Sequence, residues 1–100
     1  MPDIDLNFPG IRGKLLQGEN NQVVFFDMEP AGAIPPHSHQ AQWGVVLDGE
    51  MELTIGGETK LVKAGDSYYI PAGVEHSGRI LSKVKVMDVF DESARYRPKK

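Results

Sequence analysis

The sequence predicts an all-β fold of short antiparallel strands, and three observations support that prediction. Eleven glycines and seven prolines interrupt a chain of 100 residues, which leaves little room for long helices. The stretches between these breaks are rich in β-branched and aromatic residues. Several of them alternate apolar and polar side chains, the period of a strand with one buried face. Many such strands joined by tight turns predict a sandwich or a barrel.

The strands follow one another between glycine and proline breaks. Residues 50–55 show the alternation most clearly, with Met51, Leu53 and Ile55 on one face. The Gly56-Gly57 pair that follows predicts a two-residue hairpin turn with positive φ at both positions. Six strands are predicted by these criteria, over residues 22–28, 42–47, 50–55, 58–63, 67–70 and 80–90.

The two ends of the chain carry weaker patterns. Residues 1–21 are expected to supply an N-terminal strand or arm, which could pair with the sheet of a neighbouring subunit. Residues 91–100 are polar and end basic, so a solvated tail is the default expectation, with a short helix or a subunit contact as alternatives. We therefore expect a single domain over residues 1–100, with its barrel core at about 22–90.

Composition narrows the classes of function. The net charge of −3 argues against nucleic acid as a main partner, because phosphate binding needs a basic surplus. The apolar runs are too short to span a bilayer, and the N-terminus lacks the basic-then-apolar pattern of a secretory signal. The chain has no cysteine, which excludes disulfides and thiolate chemistry. We expect a cytoplasmic protein that binds neither nucleic acid nor membrane.

The three histidines of the chain carry the main chemical signal. His37 and His39 follow Pro35-Pro36, which holds the backbone extended. Residues i and i+2 of an extended segment point to the same side, so both imidazoles can reach one point. Imidazole is a common metal ligand, although a His-x-His pair also occurs as plain surface residues. His76 follows another segment bounded by proline and glycine, and a barrel could bring it opposite the first pair.

At these positions the chain resembles the cupin family, over about residues 23–90. The family's second motif is Gly, five residues, Pro-x-Gly, two residues, His, three residues, Asn. This motif is matched by Gly65, Pro71, Gly73 and His76, with Ile80 in the asparagine position. The first motif joins a glycine, His-x-His, a glutamate and a glycine, and it is represented by Gly32, His37, His39, Gln42 and Gly49. The resemblance implies a small single-domain cupin: a conical jelly-roll β-barrel, often dimeric, with a metal ion inside.

The glutamate position of the first motif is occupied by Gln42. Counting back six residues from Gly49 reaches it, so the loop after His39 is one residue shorter than is usual in the family. Gln42 shares strand parity with Gly44, on the face that the family turns inward, whereas Gln40 should point away. Gln42 is the expected fourth ligand beside the three histidines, with a role as a cavity residue near the metal as the alternative.

This ligand set predicts the chemistry of the bound ion. Three imidazoles and an amide are neutral, so they would leave the ion more electron-poor than a set that includes a glutamate. The reduction potential of an iron or manganese centre should rise, and Lewis acidity should strengthen. One divalent transition metal ion (Zn, Fe, Ni, Mn, Co or Cu) is the expected cofactor, because imidazole suits these ions better than Mg or Ca.

The charged residues near the motifs carry weaker signals. Glu50, Glu52 and Glu75 are tempting as general bases, but a solvated strand face is the stronger interpretation. An arginine or lysine deep in the cavity would indicate a carboxylate or sugar ligand. The sequence alone does not place Arg79 or Lys83 there.

The aromatic residues predict which strand faces are covered. One ring of Phe25-Phe26 and one ring of Tyr68-Tyr69 should face the cavity, since neighbouring strand residues point to opposite faces. Trp43 has the opposite parity to Gln42 and should point out of the barrel. An outward tryptophan favours a subunit contact, and we expect a homodimer.

The leading functional expectation is a small metalloenzyme that acts on a small organic molecule. Its reaction would be dioxygenase-like, or isomerase-like or lyase-like with a metal that polarises a carbonyl or enolate. The alternative is a non-catalytic protein that binds or senses a small molecule with the help of the metal. A plain structural or storage role is a further possibility, and fold alone does not decide among them.

Overall fold

The computed structural model describes residues 1–6, 9–30 and 33–98. Gly32 of the first motif lies outside the described residues, as do positions 7–8 of the N-terminal arm and 99–100 of the tail. No helix long and apolar enough to cross a membrane occurs in the described ranges. The strands found there are β1 Ile11–Gln17, β2 Gln22–Met28, β3 Ala33–His37, β4 Gln42–Asp48, β5 Glu50–Ile55, β6 Glu58–Lys63, β7 Ser67–Ile70, β8 His76–Ile80 and β9 Val84–Phe90.

These strands form two antiparallel sheets. The larger has five strands in the order β1-β2-β9-β4-β7, and the smaller has four in the order β3-β8-β5-β6. Strands far apart in sequence are neighbours, as β2 and β9 are, which is consistent with a jelly roll. The all-β prediction is confirmed. The predicted closed barrel is not seen, because the described strands remain in two separate hydrogen-bonded sheets.

Most of the strand bounds agree with the sequence prediction, and the differences have local causes. The single strand predicted over 80–90 is wrong, because Ile80 ends β8 and Val84 begins β9 after a break. β3 was not predicted as a strand because it contains Pro35 and Pro36, which cannot donate backbone hydrogen bonds. It lies at the edge of its sheet, where prolines are tolerated.

The core lies between the two sheets, and alternate strand residues supply it. The predicted inward face of β5 is confirmed, since Met51 and Leu53 are buried whereas Glu50 is exposed. The hairpin after β5 is confirmed as well, with φ of 57° at Gly56 and 84° at Gly57. Each large apolar side chain buried in this way contributes roughly 1.5–3 kcal/mol. Fully buried apolar side chains come from both sheets: Leu15, Val24, Met28, Val46, Met51, Ile70, Val84, Val86 and Phe90.

The N-terminal arm pairs within its own chain. Ile4 is buried, and its backbone nitrogen donates to the carbonyl of Gly13 at 3.0 Å. Ile4 also forms a β-bridge with Pro98. The expected pairing with a neighbouring subunit is therefore not needed to cover Ile4, because the two ends of the chain meet over the same edge of the larger sheet.

The C-terminal segment is not the solvated tail that its composition predicts. The amide of Gln22, which is fully buried, donates to the carbonyl of Tyr96 at 2.8 Å and accepts from its N–H at 2.9 Å. The Tyr96 ring packs edge-on against Phe26 and Phe90, with centroids 5.7 and 5.3 Å away. One glutamine and one tyrosine therefore hold an otherwise polar segment against the fold.

Candidate metal centre

Strand pairing brings the three histidines together. His37 ends β3 and lies opposite His76, the first residue of β8, in the antiparallel register. The backbone nitrogen of Gly73 donates to the carbonyl of His39 at 2.9 Å, which ties the two motifs together. The ring centroids of His37 and His76 are 4.2 Å apart, and those of His39 and His76 are 4.7 Å apart. Their ligand atoms lie within 4.8 Å of one another, so this group could hold a metal ion.

Each imidazole is fixed by a hydrogen bond from its own Nδ1 to a nearby backbone carbonyl. These distances are 2.8 Å for His37 to Pro35, 2.7 Å for His39 to Gln40 and 3.0 Å for His76 to Val74. Because a carbonyl oxygen can only accept, each Nδ1 carries the proton and each Nε2 keeps its lone pair. This arrangement is usual for histidines that bind metals, because it sets both the tautomer and the ring orientation.

The histidine group has the electrostatics of a metal site. Burial lowers the pKa of His39 and of His76, although a backbone hydrogen bond at each ring acts in the opposite direction. Both imidazoles are therefore neutral at pH 7. The Nε2 of His39 is buried and has no hydrogen-bond partner within the described ranges. An unpaired buried polar atom costs about 1–3 kcal/mol, and a divalent ion would remove that cost. The donor set therefore fits such an ion.

The three histidines border a cavity of about 150 Å³ between the sheets. Its wall is mostly apolar, with Ile34 and Met51 from the smaller sheet and Phe90 from the larger one. An apolar cavity of about this volume can hold a molecule the size of benzene. The cavity is therefore suited to a small organic molecule beside the histidines.

Gln42 lines the same cavity, as its strand parity predicts. It is 7% exposed, and its side chain hydrogen-bonds the carboxyl group of Asp88. The Tyr68 hydroxyl donates to Oδ1 of Asp88 at 2.5 Å. Burial raises the pKa of Asp88 to about 7, and it raises the pKa of Tyr68 well above its ordinary value. Ligation of a metal by Gln42 stays a prediction, because its amide is also engaged with Asp88.

A glycine makes room for this polar cluster. Gly44 lies opposite Tyr68 in the β4–β7 register and opposite Asp88 in the β4–β9 register. A Cβ atom at Gly44 would overlap both the tyrosine ring and the Asp88 carboxylate. The missing side chain therefore allows the tyrosine to cross β4 and reach the aspartate.

A sequence model of the cupin domain matches residues 24–90, which is more than half of the chain. The chain belongs to the cupin family. This membership confirms the resemblance drawn from the two sequence motifs.

Two relatives and one solved structure show how far the likeness extends. Quercetin 2,3-dioxygenase of Bacillus subtilis is 40% identical over 67 residues, which cover 65% of this cupin and 20% of that protein. Mannose-1-phosphate guanylyltransferase of Salmonella montevideo is 36% identical over 61 residues, which cover 59% and 13%. The chain thus spans a fifth or less of these two relatives. The structure of KdgF from Halomonas sp. superposes with a TM-score of 0.82 at 25% identity, covering 92% of this chain and 86% of that one.

The glutamates considered as bases lie outside the cavity of this cupin. Glu50 and Glu75 are exposed, and Glu52 lies 3.8 Å from the guanidinium of Arg79. The Arg79 side chain is itself 77% exposed. Lys83 is also exposed, with its amine 4.0 Å from a carboxylate oxygen of Glu29. Neither Arg79 nor Lys83 therefore lines the cavity.

Two charged cavity residues were missed at the sequence level. Asp88 shares the inward parity of Val84, Val86 and Phe90 in β9, and this polar residue on an apolar face was a usable signal. Arg95 also lines the cavity, but it comes from the irregular C-terminal segment. No periodicity marks it, because its position depends on the distant contact between Gln22 and Tyr96.

Proposed function

We propose that this cupin binds one divalent transition metal ion through the Nε2 atoms of His37, His39 and His76 and uses it to transform a small organic molecule. One observation carries the proposal: three imidazoles, each oriented by its own Nδ1 hydrogen bond, meet at the edge of an apolar cavity. Gln42 is the proposed fourth ligand. Zn, Fe, Ni, Mn, Co and Cu all suit such donors, and positions not taken by protein atoms would face the cavity.

The residues around the centre define what the protein would contribute to a reaction. A bound ion would polarise a carbonyl or enolate oxygen or, if redox-active, activate dioxygen. The apolar walls, including Ile34 and Met51, would exclude water from the reacting molecule. The Tyr68 hydroxyl donates to Asp88, whose pKa of about 7 suits it to accept or release a proton, at the side of the cavity away from the histidine strands. The cavity would therefore have a bound ion as an electrophile on one side, and the Asp88–Tyr68 pair as a proton donor or acceptor on the other.

The two candidate reaction classes have separate support. The likeness to quercetin 2,3-dioxygenase supports dioxygenase-like chemistry, although a cavity of about 150 Å³ favours a substrate nearer to benzene in size. The Asp88–Tyr68 pair supports isomerase-like or lyase-like chemistry, in which a proton moves while the metal polarises the substrate.

Elemental analysis of the purified protein tests the metal site. We expect one ion per chain in the wild type and in Ser38→Ala, whose exposed serine lies between the two histidines. We expect His37→Ala and His76→Ala to lose most of the metal. Equal metal content in all four proteins would contradict the proposed ligands.

Two assays then separate the reactions. Oxygen consumption by the iron-loaded protein with small diketones tests the dioxygenase-like branch. Exchange of substrate protons with deuterated water, followed by NMR on the zinc-loaded protein, tests the isomerase-like branch. If small diketones bind saturably but cause neither oxygen consumption nor proton exchange, the result would instead favour a protein that binds or senses a small molecule with the help of the metal.

We further propose a homodimer. Trp43 and Tyr69 are 47% and 49% exposed, and their rings lie 5.3 Å apart on the outer face of the larger sheet. Leu47, on the same face of β4, is 51% exposed. Covering this apolar surface with a second copy would remove it from water. Sedimentation equilibrium should show a dimer for the wild type and a monomer for Trp43→Arg, whereas a monomeric wild type would contradict the proposal.

A further inference from the structure

A positively charged side chain faces the histidine group from the C-terminal segment. Arg95 lines the cavity together with His39 and His76. Its charge adds to the effect of burial in lowering the pKa of both imidazoles. The cavity therefore has a cation on its wall in addition to any metal ion.

This arginine lacks an anionic partner in the part of the chain that the structure describes. Its Nε is buried and donates to no acceptor there, and no carboxylate lies within 4.0 Å of its guanidinium. Asp88 and Glu92, whose charges also act on the pKa of Tyr96, accept hydrogen bonds from other donors. Glu92 accepts from the backbone nitrogen of Gln40 at 3.1 Å, and Asp88 accepts from Tyr68. A buried guanidinium N–H without an acceptor is unfavourable, so the site favours a ligand that supplies one.

The position of Arg95 is fixed before any ligand binds. Its guanidinium lies over the ring of Tyr96, 5.1 Å from the centroid, and it hydrogen-bonds the side chain of that residue. Tyr96 is held by two hydrogen bonds of the buried Gln22 amide and by ring contacts with Phe26 and Phe90. A preorganised arginine loses little freedom on binding and so makes an efficient anchor for an anion.

We propose that the cavity takes a small organic carboxylate, whose carboxylate group pairs with Arg95 while a second oxygen is directed at the three histidines. The planar guanidinium matches the two oxygens of a carboxylate. The apolar walls and the volume of about 150 Å³ suit an uncharged body of roughly benzene size. The contact with Arg95 stands independently, whereas the second contact rests on the proposed metal function.

Binding of benzoate, with benzamide as its uncharged isostere, tests the anchor in both the metal-free and the zinc-loaded protein. The Arg95 Nε–H resonance, assigned by through-bond correlations in the ¹⁵N-labelled wild type, reports directly on the guanidinium. We expect benzoate to shift this resonance saturably and benzamide to leave it unchanged. Arg95→Gln should weaken benzoate binding about 10- to 100-fold, as expected for loss of charge-assisted hydrogen bonds.

Arg97→Gln is the matched control, because Arg97 is exposed and lies in the same segment. It removes the same charge and should change benzoate affinity less than about twofold, as for a screened surface charge. An unmoved Nε resonance, equal benzoate affinity in Arg95→Gln, or no saturable binding up to the solubility of benzoate would each overturn the inference. Metal content is measured separately, so an intact Arg95 effect in a protein that binds no metal would reject the metal function alone.

Discussion

The two sides of the cavity differ in how they are encoded. The histidine side consists of residues on β3, on β8 and in the adjoining loops, and two of its three imidazoles are separated by a single residue. On the opposite side, Asp88 of β9 meets Tyr68 of β7 only through the pairing of both strands with β4, and Arg95 reaches the cavity from the C-terminal segment. The first side is visible in local spacing, whereas the second depends on the complete fold. Both sides border the same cavity, so both contribute to its chemistry.

The largest effect that we expect is on the free energy of unfolding, and it comes from the buried carboxyl group of Asp88 on the second side of the cavity. Burial raises the pKa of Asp88 from 3.8 to about 7, so between these pH values the folded protein binds more protons than the unfolded chain. The contribution of Asp88 to stability should therefore fall as pH rises from about 4 to about 7, by at most about 4 kcal/mol at ~1.4 kcal/mol per unit, whereas the lowered pKa values of His39 and His76 act in the opposite direction. Asp88→Asn should lose this part of the pH dependence, which urea denaturation of the metal-free protein measures. Parallel stability profiles for the two proteins would contradict this account.

Zinc should stabilise the protein through the histidine side of the cavity. With free zinc about 100-fold above its dissociation constant, we expect the wild type to gain about 2.7 kcal/mol of stability. Ser38→Ala should gain a similar amount, and His76→Ala should gain little. Scanning calorimetry with and without zinc measures the gain. A full zinc effect in His76→Ala would show that the ion binds elsewhere.

The attachment of the C-terminal segment is open to a direct test. Gln22→Ala removes two buried hydrogen bonds to the backbone of Tyr96 and should cost roughly 2 kcal/mol. Amide exchange of residues 91–97 should accelerate more than that of the core strands, since the segment loses its attachment. Gln40→Ala, at an exposed glutamine, serves as the control. Unchanged protection of the Tyr96 amide would show that the ring contacts alone hold the segment.

The limits of sequence-based prediction follow from the same contrast. Met51 and Leu53 could be assigned to the core, and His37 and His39 to one point, because strand periodicity is a local property. Arg95 could not be found this way, because its position depends on Gln22, a residue more than seventy positions earlier. The division of the strands into two sheets cannot be predicted from the sequence either, since hydrogen bonding between distant strands depends on register and not on composition.

Gln42 connects the two sides, and one substitution distinguishes its two possible roles. If its amide oxygen binds the metal, Gln42→Glu should tighten zinc binding about tenfold, ~1.4 kcal/mol, because a carboxylate is a stronger ligand. If Gln42 serves only as a hydrogen-bond partner of Asp88, the new carboxylate would face Asp88 and lower stability without any gain in zinc affinity. Competition with a chromophoric chelator measures the affinity, and urea denaturation of the metal-free variant measures the stability. The double variant Gln42→Glu/Asp88→Asn removes the repulsion, so a tenfold gain that persists in it would assign the effect to ligation.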